Sequence, residues 1–414
     1  MNVFLTTIPL AFRNLFRNRG RTLSTLLAIS VGLLGLTLLD GFITYSVDHF
    51  RDSVIRAGIG HVEIFRSPQA RDQGDNNPIP YLFDNTLALE KQVHEMPQVD
   101  DVLPVLSFAA VVSGEDKNHS VQVTASPVDK AIRDLTNRKV VLGNDLTPSE
   151  TGEVLLGTGL AKVLKVKPGS TIKLFALSKG GGVNTESFTV AGFSSSELKD
   201  VDDRSVAMSL ADAQALLDVQ QVAKLVVFLK NTGDTSNYLR QLATLPSGSP
   251  LSGLTYEGWN HLFTAFEYAN SSFQLILAVA RLVVLIVALF SISGTLTLAV
   301  IERYREIGTL RAFGSRRPRL LLLLAQEAFL LGAAGTIIGG SFGMFVTWAI
   351  NALGGVTIPA QPQMSVSTMN VLFTPQVQVL WQNGVALLVA SIFAALLPGT
   401  MSFRRTIAEL LKSN

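Results

Sequence analysis

The chain has 414 residues, 48% of them hydrophobic and only 16% charged, against about 25% charged in an ordinary soluble protein, which excludes a wholly water-soluble molecule. Its 34 basic residues nearly balance 32 acidic ones, so a uniformly basic nucleic-acid binder is excluded as well. Cysteine is absent and the five histidines are scattered, which removes disulfides, thiolate nucleophiles and Cys-ligated zinc and leaves little metal chemistry.

Residues 1–21 place Phe4, Ile8, Phe12 and Leu15 on one helical stripe, as a helix lying in the membrane interface ahead of a span would; an ordinary flanking segment would look similar. Residues 22–39 are an uncharged run of 18, just under the roughly 20 that cross about 30 Å of hydrocarbon. Residues 41–47 extend it, so 22–45 is the first span. The run is too long for the apolar region of a secretory signal, and no small-residue cleavage site follows.

Residues 46–270 form one very large connection. Counted from Tyr45 to Asn270 it carries 20 basic and 27 acidic residues, a soluble composition. Short β-branched or aromatic runs at 121–123, 171–174, 187–190 and 225–229 alternate with helix-like runs at 86–95, 158–164 and 210–217, a mixed α/β pattern. Prolines 78, 80, 246 and 250 and the glycines 180–182 mark loops. A subdomain inserted at about 130–205 is expected. Three more spans follow at 271–301, 320–350 and 379–398, separated by a loop at 302–319 and a segment at 351–378, with a tail at 399–414. The fold class is therefore integral membrane and α-helical, with four transmembrane helices and a large mixed α/β domain inserted between the first and second.

Arginine distribution orients these spans, because short flanking loops rich in Lys and Arg stay cytoplasmic. Arg13, Arg17, Arg19 and Arg21 precede the first span; Arg303, Arg305, Arg311, Arg316, Arg317 and Arg319 lie between the second and third; Arg404, Arg405 and Lys412 follow the fourth. Only Glu302, Glu306 and Glu409 oppose them, whereas 351–378 has no charged residue. Both termini are expected in the cytoplasm and 46–270 outside it.

No phosphate-cradling loop is present: Gly157-Thr158-Gly159 lacks the lysine and spacing of a P-loop. No nucleophile elbow or HExxH occurs either, so no catalytic, cofactor-binding or metal residue is expected. The informative stretch is 301–314, IERYREIGTLRAFG. Glu302 with Arg305, and Arg303 with Glu306, stand at helical i,i+3 spacing. Ile307, Gly308 and Leu310 are embedded among these charges and Gly314 closes the run. A solvated positive-inside loop explains the charges; a docking surface explains the embedded apolar residues too. In the third span Gly335, Gly339 and Gly343 share a helix face, as small residues do where membrane helices pack closely. Glu327 is a carboxylate about two turns inside that span, where a charge is costly and marks either a functional group or a buried structural partner. Arg281 sits at the outer edge of the second span and is expected to snorkel.

Glu302-Arg303, Arg305-Glu306-Ile307-Gly308, Leu310-Arg311-Ala312 and Gly314 resemble the signature of the FtsX, MacB and LolC/LolE permeases of ABC transporters. The order of parts is similar along the whole chain. Gly152-Glu153-Val154-Leu155-Leu156-Gly157, Leu160-Ala161 and Val166-Lys167-Pro168-Gly169-Ser170 look like the second extracytoplasmic subdomain of that family. Phe12-Arg13-Asn14-Leu15-Phe16-Arg17 and Gly60-His61-Val62-Glu63-Ile64 resemble the lipoprotein-release permeases. A fused ATPase, as in MacB, is missing, and the domain is larger than that of FtsX.

The resemblance implies a non-catalytic permease subunit in a bacterial inner membrane. Its implied partners are a dimer of cytoplasmic ABC ATPase subunits, which bind the ATP and Mg, a second permease copy or paralogue, membrane lipid, and a periplasmic chaperone, adaptor or lipoprotein; nucleic acid is not among them. Residues 302–319 would be the coupling element, and ATP-driven motion of the domain would release lipoproteins or other hydrophobic cargo. The same architecture also serves as an FtsX-like signal relay that regulates a periplasmic partner and moves no cargo.

Overall fold

The computed structural model describes residues 12–14, 19–84, 86–113, 118–128, 139–148, 152–196, 199–246, 248–312, 317–358, 369–396 and 398–399. Most of the expected interfacial helix at 1–21 and nearly all of the tail at 399–414 lie outside these. The chain divides into two compact units, one of residues 1–48, 269–358 and 370–414 and the other of 49–268 and 359–369.

Four helices in the described residues are long and apolar enough to cross a membrane: Arg19–Ile59, Phe266–Glu302, Leu321–Ala352 and Val377–Ala394. They are called spans 1 to 4. The continuous helix of span 1, Arg19–Val54, has 36 residues and that of span 2, Thr264–Glu302, has 39. At 1.5 Å per residue they measure about 54 and about 58 Å, well beyond a hydrocarbon core of about 30 Å.

The core of the membrane unit gathers Ile29 and Leu33 of span 1, Ile292 and Leu296 of span 2, Ala328 of span 3 and Leu387 of span 4. Hydrophobicity does not drive helices together in lipid, so contact depends on close packing. Gly335, Gly339 and Gly343 supply it by facing span 1. A Cβ added at these positions would meet Ile29 Cγ2 at 2.7 Å, Ser30 Cα at 2.8 Å and Thr37 Cβ at 3.0 Å. The Ser30 hydroxyl also donates to the Gly335 carbonyl at 3.2 Å. At Gly339 the obstacle is backbone, which cannot rotate away. Gly339→Leu is therefore expected to destabilise the unit by about 1–3 kcal/mol through overpacking, read as a lower unfolding temperature in detergent; an unchanged temperature would mean that the contact can open freely.

In the other unit the strands are β1 (Val62–Phe65), β2 (Val99–Ser113), β3 (Asn118–Ser126), β4 (Lys139–Gly143) and β5 (Glu153–Gly157). They continue with β6 (Thr171–Leu177), β7 (Val183–Ser195), β8 (Ser205–Ser209), β9 (Lys224–Leu229) and β10 (Thr255–Gly258). β2 pairs with β3, β3 with β8, β8 with β5, β5 with β7, β7 with β6, and β6 again with β2. This closes a six-stranded ring. Its filling follows period-2 patterning: Leu106, Phe108, Ala110 and Val112 of β2, and Ile172, Leu174 and Ala176 of β6, all point to one core.

The first half of β2 belongs elsewhere. Residues Val99 to Val105 pair with β9, which pairs with β1, which pairs with β10. This second sheet packs Val62, Ile64, Leu225 and Val227 against the helices Thr86–His94 and Thr235–Ala243 through Leu89, Val93, Tyr238 and Leu242. One fifteen-residue strand thus joins two cores.

Candidate coupling site

Ile292, Leu296, Val300 and Tyr304 recur every four residues on one helical face and are all buried in the membrane core. The helix of span 2 ends at Glu302, Arg303 is a turn, and a new helix runs over Tyr304–Ala312. Tyr304, 8% exposed, fastens this short helix to the same core. Sequence reasoning passed over it, although the four-residue phase was there to be seen.

The turn brings charges of other spans to this stretch, beyond the helical spacing of Glu302 with Arg305 and of Arg303 with Glu306. Glu302 is bound by Arg21 of span 1, and Arg303 Nη1 donates to Glu327 Oε1 of span 3 at 3.2 Å. Asn14 Nδ2 donates to the same oxygen at 2.5 Å. The physical reason lies in burial. Exposed i,i+3 pairs contribute only about 0.2–0.5 kcal/mol, whereas the side chain of Glu327 is 3% exposed and that of Arg303 is 11% exposed, where an unpaired charge is costly. Glu327 thus stands as the buried partner of the loop arginine, which ties the joint to span 3 while Glu302 ties it to span 1.

Beyond the joint, Arg305, Glu306, Thr309 and Ala312 are exposed and Gly308 is buried. Gly308 therefore turns inward rather than presenting backbone to a partner. Ile307, Leu310 and Arg311 belong to the helix by their backbone, but their side chains are outside the described residues, as is Gly314 altogether.

At the other end of span 1 the chain enters the α/β unit through a tight joint. Gly60 has φ +67°, and a Cβ there would meet Val226 Cγ1 at 2.4 Å, so both conformation and space demand glycine. The His61 carbonyl accepts from the Trp259 N–H at 3.1 Å, and β1 runs antiparallel to β10, with Val62 opposite Gly258. Outgoing and returning chain are thereby bonded side by side. Phe50 stacks on Phe266 at 5.9 Å, and Trp259 meets Phe266 edge-on at 4.7 Å. Against the burial that lowers it, Glu63 at 3.2 Å and Asp75 at 3.1 Å hold the pKa of Lys224 above its ordinary value.

His61 Nδ1 accepts from the Leu229 N–H at 3.0 Å, so its Nε2 carries the proton and donates to Thr232 Oγ1, also at 3.0 Å. Burial pushes the His61 pKa down to about 4. A histidine depressed in the folded state contributes stability that is present above its unfolded pKa of about 6.5 and is lost as pH falls toward 4. His61→Gln is expected to flatten the drop in unfolding temperature between pH 6.5 and 4. Glu63, which burial raises to about 7, titrates in the opposite sense and cancels in the difference between wild type and variant. Parallel wild-type and variant curves would contradict the assignment.

Four membrane helices, with a large α/β domain between the first and second, are the architecture of a multi-pass permease. Residues 22–245 match the MacB-like periplasmic core domain, and residues 278–407 match the FtsX-like permease C-terminal domain. The chain belongs to this family, as an ABC transporter permease of the LolC/LolE/MacB/FtsX type. It is 26% identical over 407 residues to the lipoprotein-releasing system transmembrane protein LolE of Haemophilus influenzae, covering 94% of this chain and 92% of that one. It is 20% identical over 391 residues to the macrolide export ATP-binding/permease protein MacB of Bradyrhizobium diazoefficiens, covering 89% of this chain and 55% of that protein. The crystal structure of the periplasmic region of MacB from Actinobacillus actinomycetemcomitans aligns with 52% of this chain and 95% of its own, at 13% identity and a TM-score of 0.36.

Proposed function

We propose that this chain converts ATP binding and hydrolysis by a separate cytoplasmic ATPase dimer into motion of its extracytoplasmic domain, and so releases lipoproteins or other hydrophobic cargo from a bacterial inner membrane. ATP and Mg belong to the ATPase, and a second permease copy or paralogue completes the complex. The observation that carries this reading is the joint at Arg303. The exposed helix Tyr304–Ala312 is bound to span 1 by Glu302, to span 3 by Arg303, and to the core by Tyr304. A push on that helix therefore reaches three spans at once. The similarity to LolE along 92% of that protein supports lipidated cargo.

Reconstitution with the ATPase in proteoliposomes loaded with a lipidated protein tests it. ATP-dependent release into solution is expected. ATP-dependent domain motion without release would instead select the signal-relay reading. Orientation is testable separately: a reporter fused after Asn414 should read cytoplasm and one within 351–378 should read exterior. Both reporters on one side would overturn the four-span topology.

A further inference from the structure

Span 1 does not end as an α-helix. Residues Ile55–Ile59 form a single π turn, in which the Gly60 N–H reaches back to the Ile55 carbonyl at 2.9 Å and Gly58 turns to φ +110°. Such turns are rare and recur at functional sites. Here the end of the helix and the turn form one wall of a cavity of about 160 Å³, through Ser53, Arg56, Ala57 and Gly58. The opposite wall is the outer face of the ring, where β3 and β8 run side by side and contribute Thr124, Ser126, Ser205 and Ala207. Val123, Ala125, Val206 and Met208, which alternate with these along the two strands, belong to the ring core. All of the cavity lies in the α/β unit.

The small side chains of that wall leave the space open, and the groups around it set its chemistry. Ser194, near the end of β7, is 8% exposed and lines the cavity, and its hydroxyl has no hydrogen-bond partner among the described residues. The hydroxyls of Ser53, Thr124 and Ser126, on the same cavity, have none there either. A polar group covered by protein and left unpaired costs free energy, which an oxygen-bearing ligand recovers. Arg56 is exposed and forms no ion pair among the described residues. Asp202, 2% exposed, is the opposite case. It accepts from Ser195 Oγ at 2.7 Å and from the Ser196 N–H and Oγ, both at 2.8 Å, so its charge is met within the protein. Leu103, Val105 and Val201 add apolar surface.

We propose that this cavity binds a carboxylate carried on a compact aliphatic body, as in an apolar residue at the end of a peptide or in an acylated free amino acid. The Arg56 guanidinium pairs a carboxylate through two parallel hydrogen bonds, the four hydroxyls donate to its oxygens and to the adjoining amide carbonyl, and the aliphatic part lies on Leu103, Val105 and Val201. One free guanidinium matches one negative charge. A phosphate monoester brings about 1.5–2, close to the buried Asp202 carboxylate. The volume is near the roughly 150 Å³ in which an apolar cavity holds benzene, so it takes one side chain and excludes a lipid headgroup with its two chains. The site is independent of which cargo the protein moves.

The test is calorimetric titration of the full-length chain in detergent. The probes are N-acetyl-leucine, N-acetyl-leucinamide, which has the same shape without the charge, an acetylated pentapeptide ending in leucine, and diethyl phosphate, a compact phosphodiester of the same charge. The wild type is expected to bind N-acetyl-leucine at least tenfold more tightly than N-acetyl-leucinamide. Arg56→Gln should erase that preference without moving the unfolding temperature, because the side chain it removes is exposed and unpaired. Ala207→Leu, which fills the cavity, should weaken both ligands at least tenfold. A pentapeptide that binds tenfold or more tightly than N-acetyl-leucine assigns the site to a peptide end, and equal or weaker binding assigns it to a free acid. Tighter binding of diethyl phosphate than of N-acetyl-leucine, no preference for the carboxylate in the wild type, or a preference that survives Arg56→Gln would overturn the proposal.

Discussion

Replacing Glu327 by leucine is expected to destabilise the membrane unit by about 3–5 kcal/mol, because it leaves Arg303, 11% exposed, with its charge buried and unpaired. The loss belongs to the orphaned partner rather than to the absent carboxylate. Replacing both groups, Arg303→Met with Glu327→Leu, is therefore expected to recover most of the stability, since a well-packed apolar pair is commonly as stable as a buried ion pair. Coupling should behave differently. The double variant fills the same space but no longer binds the joint after span 2 to span 3 by a directed hydrogen bond. Unfolding temperature should return toward wild type while stimulation of the ATPase by the permease stays low. A double variant as unstable as Glu327→Leu alone would show that Asn14, which donates to the same carboxylate at 2.5 Å, dominates the local energetics.

What could be read from the residues followed their periodicity. The apolar runs marked the four spans, and the short β-branched run at 171–174 marked a strand, because burial on one side leaves a local imprint. Closure of the ring through β6 left none: pairing Val111 with Phe175 and with Ser120 at once is decided by residues far apart in the chain. The same holds for partners. The four-residue recurrence of Gly335, Gly339 and Gly343 indicated a packing face, yet nothing local pointed to Ile29, Ser30 and Thr37 as the surface it meets. The charges of 301–314 were read as helical neighbours because spacing is all that one dimension offers. The partners on other spans, Arg21 for Glu302 and Glu327 for Arg303, lie far away in the chain and left no local sign. The buried Asp40 drew no notice because the first span, 22–45, runs across it, and its burial is decided by residues far away in the chain.

Glu306→Lys is expected to disconnect the permease from its ATPase without disturbing its own fold. Glu306 is exposed on the short helix, beside exposed Arg305 and nearly one turn before exposed Thr309, while Gly308 is buried. The face available to a partner is therefore charged, and reversing one contact charge across an interface costs about 2–5 kcal/mol, which is roughly a 30-fold to several-thousand-fold loss of affinity. Gly308→Trp acts from the other side of the same helix. It adds bulk where the helix is covered, so it should lower the unfolding temperature and coupling together, whereas Glu306→Lys should leave the unfolding temperature unchanged and abolish co-purification with the ATPase. A compensating acid-to-base or base-to-acid change in the ATPase groove should rescue Glu306→Lys and not Gly308→Trp. If Glu306→Lys retains full binding and ATP-driven release, the exposed charges serve only to hold the loop in the cytoplasm, and the push on the spans must enter through some other surface.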